Sequence, residues 1–360
     1  MANEPTATIG FLGDIFFGDA RLEVTPELAD VLRQSDLRIG NLETPISEPN
    51  PIDSGKILLC SPPGSEAMLP KLGIDIVSLA NNHIFDHGEA GFASTRAALE
   101  KVAIQYVGAG QDIEEASRAI RFEINGIRFG LIAATEEGTQ ALLAGPASPG
   151  CNTLDQETIT RQIRDLCSEV DHVIVVPHWG YCEFAYPPVH VVRLGEALLR
   201  AGASAVVGHH SHVVQGARTM EDGAYIAYSL GNFFFDDYHI TKTCKRKVQG
   251  ENAHGVLLEL CFSKTRCTES RRHFTTQRDG TLALDTNSKR ERTLAKRSEP
   301  LRKTEGYERF WRSVVRKRMV RRALHWLNPL HWRQIRPATV VSALVLFKNM
   351  CGMKSKNETK

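Results

Sequence analysis

The sequence predicts an α/β fold in which helices cover the faces of sheets. Two observations carry that expectation. From residue 7 to about 262, short apolar runs alternate with amphipathic segments, as layered strands and helices require. Polar residues suited to ligand binding sit at the ends of those apolar runs, where α/β sheets place their ligands. Composition agrees. With 42% hydrophobic and 24% charged residues in 360, the chain has ordinary globular usage, which excludes a fibrous or wholly disordered polymer.

Ala7 to Gly13 (ATIGFLG) reads as the first strand. Pro26 to Gln34 reads as a helix, with Thr25 at the N-cap and Pro26 at the first helical position. Leu37 to Leu42 is strand-like. Ser65 to Leu72 is a helix stopped by Gly73, and Ile74 to Ala80 (IDIVSLA) is a buried strand. Gly88 to Val102 is helical and leads to a short strand at Ile104 to Val107. Asn125-Gly126, set between β-rich runs, predicts a hairpin over Ile120 to Ala133. A helix over Leu154 to Val170 precedes the strand His172 to Pro177 (HVIVVP). Val189 to Arg200 is a helix closed by Gly202, and the strand Ala203 to Val207 follows. Tyr225 to Leu230 and Gly255 to Phe262 are late strands.

Residues 1–262 therefore read as one domain. Residues 263–300, rich in Arg, Lys, Ser and Thr, read as a loose polar linker with one strand at Thr281 to Leu284. Residues 301–360 read as a basic, aromatic, partly helical tail that includes Trp311, Trp326, Trp332 and Arg333. Its apolar run, Ala338 to Phe347, is about half of the roughly 20 residues a membrane-spanning helix needs. The formal net charge of +2 conceals an asymmetry. Residues 288–360 hold 20 Lys or Arg and 5 Asp or Glu, a net of +15, so residues 1–287 carry −13. Such a tail suits an anionic membrane surface, an anionic polymer, or packing on the acidic body; nucleic acid is the least favoured partner. Eight scattered cysteines without a C-x-x-C pair fit a reducing compartment, and the first eight residues show no leader pattern. The expected location is the cytoplasm, peripheral at the inner membrane surface.

Five segments carry candidate chemistry. Gly13-Asp14 ends the first strand with a carboxylate, which alone is more often a turn residue. Glu43, after Asn41-Leu42, could bridge two cations with its two oxygens. The run Asn81-Asn82-His83-Ile84-Phe85-Asp86-His87-Gly88 gathers an amide, an imidazole and a carboxylate on one loop after a core strand. His178 ends the strand HVIVVP and is followed by Glu183. Gly208-His209-His210-Ser211-His212 is the sharpest signal. On extended backbone the imidazoles at 210 and 212 project to the same side and can grip one cation or two adjacent ones. The ligand mix is oxygen and nitrogen without thiolate, which suits Mn, Fe, Zn or Mg and argues against a cysteine-rich zinc site. Cys182 has no second cysteine beside it and is left out of the set.

The motifs GDIFFGD (13–19), NLE (41–43), NNHIFDHG (81–88), HWGYCE (178–183), HHSHVVQG (209–216) and YSLGNFFFD (228–236) resemble those of the CapA family. That family is named for capsule and poly-γ-glutamate synthesis and belongs to the calcineurin-like metallophosphoesterase superfamily. The resemblance covers about residues 7–240. It implies a four-layer α/β/β/α sandwich with a two-metal site between strand ends. By position it implies Asp14, Glu43, Asn82, His178, His210 and His212 as ligands of two divalent cations. Glu43 takes the bridging place, and His83 faces substrate. The wider superfamily has Asp-x-His in its first motif. Here the third position is Phe16, so one cation loses an imidazole.

The expected activity is metal-dependent hydrolysis of a phosphoester, linked to capsule or poly-γ-glutamate biosynthesis. Two cations sharing a water would lower its pKa towards neutrality. His83, oriented by Asp86, would protonate the leaving group, and Glu183 would read a substrate amine or orient a histidine. A γ-glutamyl amide hydrolase or transferase on the same residues is the second reading. A non-catalytic capsule-assembly or polymer-binding component is the third.

Overall fold

The computed structural model describes residues 4–326 except 20, 51–55, 242–243 and 304. The chain forms two compact units, residues 1–302 and 303–360.

The first unit is built on two sheets. The larger runs, in spatial order, Glu23–Val24, Thr281–Leu284, Cys267–Arg278, His254–Phe262, Ala7–Phe16, Leu37–Leu42, Ile76–Ser78 and Gln105–Val107. Asn232–Phe235 also pairs with Ala7–Phe16. The smaller runs Ala217–Thr219, Tyr225–Ala227, Ala203–Val207, His172–His178, Ile127–Thr135 and Ile120–Ile124.

Alternation along the strands decides how these layers stack. Ile9, Phe11, Ile39, Leu258 and Phe262 of the larger sheet meet Phe129, Leu131, Ile174, Val176 and Val207 of the smaller one in a single buried cluster. Phe129 and Phe262 touch edge to face across it, with ring centroids 5.3 Å apart, a geometry worth about 0.5–1.5 kcal/mol beyond area burial. The opposite face of the larger sheet buries Leu12, Ile15, Leu42 and Val77 against Leu28 and Leu32 of helix Pro26–Leu32 and Phe92 and Leu99 of helix Gly88–Lys101. On the far side of the smaller sheet, helices Gln156–Cys167 and Val189–Arg200 lie against His172–His178 and Ala203–Val207. The helix Gln156–Cys167 buries Ile159, Ile163 and Leu166 at helical spacing, and Asp155 caps it by accepting from the Thr158 N–H. The fold is therefore a four-layer α/β/β/α sandwich.

Several local readings hold. The hairpin forms from Ile120–Ile124 and Ile127–Thr135, and both turn residues, Asn125 and Gly126, have positive φ as a type I′ turn demands. Others differ. Ser65 to Leu72 is two 3₁₀ turns, because Pro70 lacks the N–H a continuous helix needs. Thr25 stands at the N-cap position without a side-chain cap bond.

The stretch 263–300 is not a loose connection. Cys267–Arg278 is a twelve-residue strand paired with both His254–Phe262 and Thr281–Leu284, and Lys289–Ser298 is a helix. Its polarity is that of a strand exposed on both faces over much of its length: Thr268, Glu269, Arg271 and Arg272 are exposed, and Cys267 and Thr275 are buried.

In the second unit, Tyr307–Trp326 is a 20-residue helix, with Arg312 paired to Glu308 one turn away at 2.6 Å. Trp332, Arg333 and the apolar run 338–347 lie outside the described residues. Among the described residues, no helix is long and apolar enough to cross a membrane.

Candidate metal centre

Strand register assembles the centre. Asp14 lies opposite Asn41 on one neighbouring strand and opposite Asn232 on the other. Gly13 makes this possible: a Cβ there would sit 2.1 Å from the Gly231 carbonyl oxygen, so only glycine lets the strands close at this point. Glu43 follows Leu37–Leu42, Asn82 follows Ile76–Ser78, and His178 ends its own strand. The smaller sheet supplies His210 and His212 from the loop after Ala203–Val207.

These segments, dispersed over some two hundred positions, converge. Donor atoms of Glu43, His178 and His210 lie within 4.8 Å of one another, and so do those of Asp14, Glu43 and His212. Glu43 belongs to both groups. Asn82 joins the first, its Oδ1 standing 2.9 Å from His178 Nε2. All six residues singled out from the sequence as ligands thus meet in one place.

The hydrogen bonding shows what the pocket lacks. Asp14 Oδ2 and Glu43 Oε1 are buried without a hydrogen-bond partner. Each faces a ring nitrogen of His212 at 3.3 Å. Even a doubly protonated imidazole has only one N–H on each nitrogen, and His212 Nδ1 already meets Asn232 Oδ1 at 2.9 Å. The ring cannot satisfy both carboxylates. On the other side, His178 Nε2 and His210 Nδ1 are 3.0 Å apart, two nitrogens with room for one proton between them. Converging lone pairs and orphaned carboxylate oxygens in a buried pocket call for cations, and this oxygen–nitrogen donor set fits borderline divalent ions.

Electrostatics follow the same lines. Burial works to raise the Asp14 carboxyl, but hydrogen bonds and charge from His209 and His212 outweigh it and hold the group well below the ordinary carboxylate range. Burial and the Asp14 charge push Glu43 well above its ordinary value. Burial and the neighbouring His210 push His178 down. Burial alone would lower His212 too, but Glu43 and Asp14 draw it well above its ordinary value.

The expected extended backbone at 210 and 212 is not what the structure has. His210 has φ +91° and His212 φ +56°, both left-handed. Two such residues cost on the order of 1–3 kcal/mol each and persist only where surrounding contacts over-determine them. The bend is what sends the rings to different groups, His210 toward His178 and His212 toward Asp14. Gly208 begins the loop. A Cβ on it would lie 2.3 Å from the Tyr228 carbonyl oxygen and 2.4 Å from Trp179 Nε1.

The remaining candidates are placed as follows. His83 Nδ1 is 2.5 Å from Asp86 Oδ2, and the buried Asp86 also accepts from the Leu59 N–H and pairs with Lys56. Glu183 pairs with Arg246, while its backbone N–H donates to the Ser211 carbonyl at 2.7 Å, between the two histidines. Phe16, at the position of the missing imidazole, packs on Phe235 in a small apolar cluster with Leu59.

Four participants escaped the sequence reading. Asn41 Nδ2 donates to Asp14 Oδ1 at 2.8 Å and to Glu43 Oε2 at 3.1 Å. His209 Nδ1 stands 3.0 Å from Asp14 Oδ1. Asn232 holds His212. Cys182, set aside for want of a partner cysteine, has its Sγ 3.5 Å from His210 Nε2. Position beside a candidate ligand was the available signal for the first two.

The stretch that carries these residues matches known proteins. A family model described as "Bacterial capsule synthesis protein PGA_cap" matches residues 8–237. The chain is 29% identical over 246 residues to "Capsule biosynthesis protein CapA" of Bacillus anthracis, covering 64% of this chain and 60% of that one. It is 29% identical over 246 residues to "PGA biosynthesis protein CapA" of Bacillus subtilis, covering 65% and 64%. The match thus spans less than two thirds of either relative. Among solved structures, a 5'-nucleotidase precursor from Thermus thermophilus superposes with a TM-score of 0.43 at 16% identity, covering 82% of this chain and 59% of that one.

Proposed function

The chain belongs to the PGA_cap family of bacterial capsule synthesis proteins, and from that premise we propose that it is a metal-dependent hydrolase acting on a phosphoester. One observation carries the reading: Glu43 is shared by two groups of donor atoms, the arrangement a carboxylate bridging two cations requires. Asp14, Glu43 and His212 would hold one ion; Glu43, Asn82, His178 and His210 would hold the other. Divalent cations bound there supply Lewis-acid chemistry, acidifying water and offsetting charge that gathers on the electrophile's oxygen.

The rest falls to the chain's own side chains. Asp86 fixes the His83 ring through Nδ1, which leaves Nε2 to carry a proton to a leaving group. Asn41 and His209 hold Asp14 in place. A γ-glutamyl amide is the second electrophile this site suits, favoured by the words "PGA biosynthesis" in the name of the Bacillus subtilis relative. Either reaction would serve capsule or poly-γ-glutamate assembly.

The test is metal analysis joined to a substrate panel. Protein loaded with Mn²⁺ is expected to bind about two ions per chain and to hydrolyse a phosphodiester, a phosphomonoester or a γ-glutamyl peptide. His212→Ala is expected to lose one ion and the metal-stimulated turnover while keeping its circular dichroism. A variant with wild-type turnover and full metal content would overturn the assignment.

A further inference from the structure

The geometry points to Arg297, on a helix beyond the family match, as a positioning residue that fixes the tautomer and aim of His212; this rests on the metal reading above. For His212 to offer Nε2 to a cation beside Glu43, its proton must reside on Nδ1. Asn232 Oδ1 accepts at 2.9 Å from that nitrogen. An amide presents its oxygen on that side only if its other end is occupied by an acceptor. Asn232 Nδ2 donates to the Asn252 carbonyl at 2.9 Å, and so the amide cannot turn over without losing a bond.

Asn252 lies in the 3₁₀ turn Gly250–Ala253, and this turn has to be held against the histidine loop. Arg297, on helix Lys289–Ser298, does that with two arms of one guanidinium. Its Nη1 donates to the carbonyl of Val214, two residues past His212, at 2.5 Å. Its Nη2 donates to the carboxylate of Glu251, next to Asn252, at 2.7 Å. The side chain is only 12% exposed. A planar fork holds two acceptors at a fixed separation, which an ammonium on a flexible stem does not. Around it, Ser298 Oγ accepts from the Ala217 N–H, and Gly216 lies so close that a Cβ would fall 2.6 Å from the Arg297 carbonyl. The helix is thus seated directly on the histidine loop.

Asn232 bonds the ligand directly, and removing a partner of that kind typically changes metal affinity 10–100-fold; Arg297 acts through it, by way of the turn that holds Asn252. Arg297→Ala is therefore expected to weaken one of the two Mn²⁺ sites by up to about tenfold in calorimetric titration of metal-free protein, leaving the other site within error. Arg297→Lys keeps the charge but not the fork and is expected to recover only part of the loss. Glu251→Gln, which leaves the helix intact, is expected to weaken the same site. Nitrogen-15 shifts of the Zn²⁺-loaded protein add a readout a merely structural role would not move: His212 shows a protonated Nδ1 and an unprotonated Nε2 in wild type and a mixture in Arg297→Ala. Unchanged affinities at both sites in folded Arg297→Ala and Glu251→Gln would overturn the inference, as would equal weakening of both sites. Wild-type protein that binds no Mn²⁺ would instead bring down the metal reading, and this inference with it.

Discussion

The proton-transfer role proposed for His83 depends on Asp86. The 2.5 Å contact through Nδ1 turns the ring and leaves one nitrogen for proton transfer, a service worth about 10²–10⁴-fold where the leaving group is basic. His83→Gln is therefore expected to cost about that factor on an alkyl phosphodiester and far less on a nitrophenyl ester, whose leaving group needs no proton. Metal content stays unchanged. Equal losses on the two substrates would remove His83 from this role. At this scale much of the site was legible. Asp14, Glu43, Asn82, His178, His210 and His212 end apolar strands, and that position is visible in a linear sequence. Asn232 and Arg297 were not, because their importance lies in hydrogen bonds to residues up to 83 positions away. Nor was the left-handed backbone at His210 and His212 legible, since neither residue type announces a positive φ.

The strand His172–His178 delivers a candidate ligand, and its register is set at the opposite end. Asp171 there accepts from the Arg128 backbone N–H at 2.9 Å and from its guanidinium at 3.0 Å, while the Asp171 N–H donates back to the Arg128 carbonyl. The buckle aligns His172 with Phe129, and the pairing then runs on to place His178 beside Thr135. The Arg128 side chain, then its backbone N–H, lowers the Asp171 carboxyl from 3.8 to about 2. The folded state therefore binds this proton less readily than the unfolded one. The buckle's contribution to stability is complete above pH about 4 and disappears as pH falls towards about 2. Asp171→Asn is expected to lower the urea midpoint near pH 6 and to show a smaller fall than wild type between pH 6 and pH 3. Parallel pH profiles for the two proteins would contradict this. The strands of the central sheets were foreseeable because they are apolar on both faces. Cys267–Arg278 was not, because exposed residues on both of its faces fill the sequence with Arg, Glu and Thr and leave no period of two to read.

At the scale of the molecule, charge separates along the chain, with +15 on residues 288–360 and −13 on the remainder. Arg316, Lys317 and Arg318 stand on the helix Tyr307–Trp326. We propose that this helix meets an anionic membrane surface. The full chain is expected to sediment with vesicles of anionic phospholipid at low salt and to be released at high salt. Changing all three residues to Glu is expected to abolish sedimentation. Binding that survives this change, or that neutral vesicles match, would refute the proposal. The sandwich itself carries a different consequence. Asp14, Glu43 and Asn82 come from one sheet, and His178, His210 and His212 from the other. An ion held there would grip both sheets like a rivet, and loading and folding would become a single thermodynamic linkage. An ion present at a hundred times its dissociation constant adds about 2.7 kcal/mol to the native state. The melting temperature then reports which ions occupy the rivet holes, with no substrate in the cuvette.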